Sequence, residues 1–195
     1  MRKLVYAMGV TLDGFISDGN GSIDWSAPSD ELFRFHIEQA RGTGMHLLGR
    51  RLYETMLVWE TPDQHPGAAA DELEWATLWK ALPKVVFSTT LESVEGNSRL
   101  AGGDPVAETA RLKEEPGEGS IGVGGAGLAA TLVRAGLVDE YGVFVYPVVV
   151  GAGTPFFPPL DDRIVLDLVE TRTFDNGVVF LRYAVRRDAS GDLAA

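Results

Sequence analysis

The sequence predicts an α/β fold, a mixed and mostly parallel sheet with helices on both faces. Three observations carry this. Short apolar runs alternate with helix-periodic stretches along most of the 195 residues. One such run, Ser120–Val123, passes through four glycines directly into a helical pattern. The chain then closes on two strand-like runs joined by Asp175-Asn176-Gly177, the composition of a tight antiparallel turn.

Lys3–Met8 reads as a buried strand, followed by a turn-rich stretch from Val10 to Gly21 that predicts a long mobile loop. Ser29 is placed to cap a helix whose apolar face is Leu32, Phe33, His36, Ile37 and Ala40 and which ends near Gly42. Asp30 and Glu31 in its first turn suit the helix dipole. Met45–Leu48 is a second strand running into Gly49-Arg50-Arg51 and a short helix. Thr61–Ala70, with two prolines and His65, reads as irregular, and Asp71–Leu82 as helix. Lys84–Phe87 is a strand ending in Ser88-Thr89-Thr90, Asn97–Pro105 a loop, and Val106–Glu114 a helix. After the glycine-led helix Ala126–Gly136 come strands at Tyr141–Val150, Arg163–Thr173 and Val178–Arg186. One domain is expected over 1–187, with a frayed tail over 188–195.

Composition narrows the function. A formal charge of −11 argues against nucleic acid, whose binding needs clustered Lys and Arg, yet a local arginine pair still holds a phosphate because distant charges are screened. The absence of cysteine removes disulfides and thiolate chemistry. No run is long enough for a membrane span and the first residues lack a signal-peptide pattern, so a cytoplasmic protein is expected. His36, His46 and His65 lack metal-ligand spacing, and neither a phosphate-loop nor a G-x-S-x-G motif is present.

The glycine stretch is the most informative. A strand that turns through glycine into a helix leaves the first amides of that helix free, beside the positive end of its dipole, where phosphate binds. Gly122, Gly124 and Gly127 fit G-x-G-x-x-G, but Asp139-Glu140 precede the next strand, whereas the ribose-binding acid of a Rossmann unit sits at that strand's far end. The same glycines also suit a turn that only relieves crowding. Arg50 and Arg51 suit a phosphomonoester, and a solvated basic turn is the plainer reading for one of them. Asp13 follows the first strand, where it either faces a cleft or makes a turn with Gly14. Ligands on such sheets gather outside the carboxyl ends of the strands, the rim these residues share. Hydride transfer suits this inventory, because a nicotinamide carries the reaction while the protein holds two rings together.

The stretches Thr11–Ile16, Leu48–Glu54, Val123–Leu128 with its helix to Glu140, and the terminal hairpin resemble the dihydrofolate reductase superfold. They are most similar to the C-terminal reductase domain of the bifunctional riboflavin-biosynthesis deaminase/reductase. The resemblance implies a three-layer α/β/α fold and an NADPH-dependent reductase working as a homodimer on a small molecule. It implies that Gly49, Arg50, Arg51, Ser88 and Thr89 meet the adenosine phosphate end and that Gly122, Val123, Gly124, Gly125, Ala126, Gly127 and Leu128 wrap the diphosphate. A cis peptide would join Gly124 to Gly125. Asp13 would be catalytic, and Gly14, Phe15, Trp25, Asp30 and Tyr146 would line the substrate. The family's lysine and glutamate are replaced here by Ala7 and Val123, which weakens the case for a phosphoribosylated aminopyrimidine. A pterin or folate reductase and a non-catalytic NADPH-binding dimer are the alternatives.

Overall fold

The computed structural model describes residues 1–61, 69–188 and 193. His65, and all of the tail beyond Asp188 except Leu193, lie outside them. Ten strands and five α-helices follow in the order β1 (Leu4–Thr11), β2 (Phe15–Asp18), α1 (Asp30–Arg41), β3 (Thr43–Gly49), α2 (Arg50–Met56), α3 (Ala70–Ala81), β4 (Lys84–Phe87), β5 (Ser98–Leu100), α4 (Pro105–Glu114), β6 (Ser120–Gly124), α5 (Ala126–Arg134), β7 (Glu140–Tyr146), β8 (Gly153–Pro155), β9 (Leu166–Thr173) and β10 (Val179–Val185).

Eight strands form one sheet in the order β5-β4-β3-β6-β1-β7-β10-β9, while β2 and β8 make a separate ribbon. All pairings from β5 to β7 are parallel, and β10 is antiparallel to both β7 and β9. Adjacent apolar residues serve opposite faces, as strand pleating requires. Leu47 and Val85 join Leu4, Tyr6 and Ile121 beneath α4 and α5, whereas their neighbours Leu48 and Val86 pack with Tyr53 and Trp79 beneath α2 and α3. α1 covers the far end through Leu32 and Phe35 against Phe144, Phe174 and Phe180. The result is a three-layer α/β/α sandwich.

Local chemistry sets the element ends. The Ser29 hydroxyl accepts from the Leu32 amide and caps α1, and Asp104 caps α4 ahead of Pro105. α5 stops at Arg134, earlier than expected, because Gly136 at φ 67° closes it with Leu137 N–H donating to the Leu132 carbonyl. β7 stops at Tyr146 because Pro147 has no N–H for a ladder. β5 and β2 correct the loops expected at Asn97–Pro105 and after Val10; at three and four residues they are too short for periodicity to register.

Candidate functional site

The ends of the central strands form a step. β3, β4 and β6 finish level with one another, Leu48 opposite Gly124 and Gly49 opposite Phe87. The β1–β6 ladder ends at Tyr6–Val123, so Ala7 stands level with Gly124, yet β1 runs on to Thr11 paired only with β7. Four residues of β1, roughly 13 Å, thus rise above the glycine turn with one backbone edge bare. Ala7 is exposed, although it lies on a central strand of an eight-stranded sheet. Gly9, Gly122, Gly124 and Gly142 share this face, and their missing side chains make room for Tyr146, His46, Leu52 and Ala7 respectively.

At the foot of the step Gly125 turns the chain with φ 96° and ψ 119°, a region closed to other residues, and α5 begins. Its first intrahelical bond is Ala129 N–H to the Gly125 carbonyl, leaving the amides of Ala126, Gly127 and Leu128 without helical partners. Gly127 is exposed, and nothing lies within 4 Å of where its β-carbon would be. The expected cis bond between Gly124 and Gly125 is absent; all described peptides are trans, and the positive φ of Gly125 makes the turn instead.

The other glycines have different work. Gly122 and Val123 are buried inside the sheet, and a β-carbon on Gly122 would meet the His46 ring at 2.6 Å. This corrects their place in the diphosphate loop: the missing side chain of Gly122 accommodates His46. Gly124 likewise admits Leu52 of α2. Gly49 precedes α2, packed close to Gly125 and Leu128. Leu128 is buried, so only its backbone is placed to contribute.

The arginine pair divides. Arg50 donates to both oxygens of Glu54, at 3.0 and 3.1 Å, one turn later. Arg51 is exposed and its guanidinium has no protein partner among the described residues. The Ser88 hydroxyl accepts from the Thr90 and Leu91 amides, which makes it a turn cap, and Thr89 beside it is exposed.

Asp13 clasps two loops. Its carboxylate accepts from the Gly151 amide at 2.8 Å and the Val150 amide at 3.4 Å. The Thr11 hydroxyl, which also accepts from the Phe15 amide at 3.0 Å, and these amides hold its carboxyl below the usual range. An ionised Asp13 is not a proton donor. Gly14 at φ 87° leads into β2, where Phe15 pairs with Pro155. Tyr146 is buried and donates its hydroxyl to the Ser26 carbonyl at 2.9 Å; burial pushes its phenol up to about 12. Its ring also meets that of Trp25 edge-on at 5.4 Å.

Asp30 is exposed and lines a cavity of about 510 Å³ with Ser29, Phe33, Arg34, Trp59 and Asp71, between the N-terminal ends of α1 and α3. Arg34 is bonded to Asp71 at 3.0 Å. A smaller cavity of about 270 Å³ near Trp75 and Trp79 reaches Pro83, just before β4, at the opposite strand ends from the glycine turn. No group of His, Asp or Glu among the described residues is placed to hold a metal, and no helix among them is long and apolar enough to cross a membrane. The site elements that sequence reasoning missed are the bare β1 edge and the Phe33–Trp59 wall. Small residues at Ala7 and Gly9 on one face of β1 were the available signal for the first.

Residues 2–180 match the family described as RibD C-terminal domain. The chain belongs to that family. It is 32% identical to the uncharacterized protein YyaP of Bacillus subtilis over 93% of this chain and 94% of that one. Among solved structures it resembles a protein from Shewanella sp. PV-4 assigned to riboflavin biosynthesis, with a TM-score of 0.71 and 19% identity, covering 96% of this chain and all (100%) of that one. Dihydrofolate reductase from Enterococcus faecalis, solved with NADP(H), gives a TM-score of 0.59 at 17% identity, covering 94% and 96% of the two chains. The RibD C-terminal fold is thus dihydrofolate reductase-like.

Proposed function

We propose that this RibD C-terminal domain protein is a cytoplasmic NADPH-dependent reductase, working as a homodimer, that delivers hydride to a C=N or C=O carbon of a small planar heterocycle or its ring-opened ribosyl conjugate. The observation that carries the reading is the free amide row at Ala126–Leu128, opened by Gly125 and left uncovered at Gly127.

These residues fit the cofactor. Bare amides at the start of a nine-residue helix receive a diphosphate, and the unpartnered Arg51 receives the 2′-phosphate that distinguishes NADPH from NADH. When bound, the nicotinamide supplies the hydride. The exposed floor at Ala7 and the unpaired β1 edge offer a surface and amide groups for flat rings, and the Asp13 clasp fixes the loops above them. Because Asp13 is held ionised, the proton that follows hydride comes from water or the substrate itself. Asp30, whose carboxylate has no hydrogen bond among the described residues, favours a second reading in which the ring is a pterin presenting N–H groups to that acid.

Tryptophan-fluorescence titrations with NADPH and NADH test the first step, and NADPH oxidation with a panel of aminouracil, pterin and dihydrofolate substrates tests the second. Preference for NADPH and turnover of one ring class are expected. Equal, weak binding of both cofactors would remove the reading. Sedimentation velocity checks the dimer.

A further inference from the structure

α1 presents three different sides. Leu32 and Phe35 are buried against the sheet's outer strands, Phe35 lying 5.0 Å from Phe180 and 5.3 Å from Phe174 between ring centres. Phe33 turns toward α3 and the segment after α2, 6.3 Å from Trp59 and 6.0 Å from Trp75. His36, one turn beyond Phe33 on a helix of 3.6 residues per turn, lies between these two sides and meets Phe144 at 4.6 Å between ring centres, the planes tilted by 55°. Phe144 is the ladder partner of Gly9, and two residues earlier Gly142 partners Ala7. The imidazole therefore stands over the β7 side of the bare β1 step, level with the part of β1 that has lost β6 as a neighbour.

His36 makes no hydrogen bond or ion pair with the described residues, and neither ring nitrogen is sealed from solvent. His36 is half-buried, and Ala7, two positions before the ladder partner of Phe144, is exposed.

Building on the reductase reading, we infer that His36 contacts the substrate, a ring nitrogen making one hydrogen bond to the polar edge of an uncharged planar heterocycle lying over the exposed Ala7. A neutral imidazole carries one donor and one acceptor and adapts its tautomer to either partner. Burial holds His36 in that form by lowering it to about 4. It offers no charge to offset a phosphate, so the recognised portion is the ring.

The test uses lumazine, a neutral planar lactam, added to the full chain with and without NADP⁺. The histidine Cε1–H signals are followed by NMR, with that of His36 assigned from its loss in His36→Gln. The His36 signal should move saturably with lumazine. His36→Phe should weaken lumazine by about tenfold, the effect of losing one hydrogen bond, while leaving NADP⁺ affinity unchanged; His36→Gln, which keeps a donor and an acceptor, should lose less. The inference is overturned if wild-type protein shows no saturable lumazine binding, if the His36 signal stays fixed, or if His36→Phe binds lumazine like wild type. Failure of NADP⁺ alone, with the lumazine response intact, would instead count against the cofactor assignment and leave the His36 contact standing.

Discussion

Gly49 and Gly125 face each other across the ends of β3 and β6: a β-carbon on Gly125 would lie 3.4 Å from both the Cα and the N of Gly49. Two strand-to-helix turns meet there with only backbone between them, and Gly125 also holds φ 96°. Gly125→Ala should therefore cost about 1–3 kcal/mol, from the positive φ together with the close approach. Urea denaturation should show a lower midpoint with an unchanged slope, and NADPH binding should weaken in the same variant. An unaltered midpoint would mean that the turn can be remade without glycine.

Arg50 and Arg51 are adjacent but differently committed, since Arg50 already holds Glu54 and the Arg51 guanidinium has no partner among the described residues. Arg51→Ala should reduce NADPH affinity by roughly tenfold or more, the scale of a charge-assisted hydrogen bond, with little change for NADH. Arg50→Ala should do less, because its pair is an exposed one of small energy. Fluorescence titration of both variants with both cofactors decides this, and the reverse ranking would reassign the phosphate site to Arg50.

Asp13→Asn keeps the shape of the clasp but leaves one carbonyl oxygen where two carboxylate oxygens now accept from Val150 and Gly151. The expected result is faster proteolysis within 147–151 and a several-fold fall in kcat/KM, with NADPH affinity nearly unchanged. Turnover abolished with the loop as resistant as before would show a direct chemical role for Asp13 instead.

Much of this was legible in the residues. The apolar runs marked β1, β3, β4, β6, β7, β9, β10 and the five α-helices in order, though not the short β2, β5 and β8, and Ser29 and the Asp175–Gly177 turn marked ends that hold in three dimensions. That Asp13, Arg51 and Gly125 follow strands was legible too. The division of labour among them was not. Whether a glycine bares an amide, like Gly127, or makes room for a histidine, like Gly122, depends on what the neighbouring strand places opposite it. The cleft over Ala7 arises from the unequal lengths of β1 and β6, which only their register reveals. The end of β7 was misjudged because its apolar run continues to Val150, whereas Pro147 ends the strand at Tyr146, whose hydroxyl bonds the Ser26 carbonyl.

Two histidines make stability depend on acid. Burial lowers His36 to about 4, and burial with the Lys84 charge lowers His46 to about 4, from 6.5. Between pH 6.5 and 4 the unfolded chain takes up protons that the folded imidazoles refuse, so stability falls as the pH drops through that window and is flat in these groups above it. Each displacement corresponds to roughly 3 kcal/mol at most. Denaturation midpoints measured from pH 7.5 to 4.5 should decline, and His46→Gln should decline less steeply than wild type. Parallel slopes for the two proteins would show that His46 protonates freely when folded.

Gly127→Ala separates binding from folding. A methyl group at this position meets no protein atom within 4 Å, and Gly127 has no positive φ to defend. Alanine is also the better helix former, by about 1 kcal/mol in a helix interior and less in the first turn of α5. The variant should consequently be as stable as the wild type or slightly more so. If the amides of Ala126, Gly127 and Leu128 receive a diphosphate, however, the new methyl stands in the space the phosphate oxygens need, and NADPH affinity should drop by an order of magnitude or more, about 1.4 kcal/mol per tenfold. Thermal denaturation and cofactor titration on one preparation give both answers. A stable variant that binds NADPH like wild type would place the diphosphate elsewhere and leave the glycine at 127 with no role in the site.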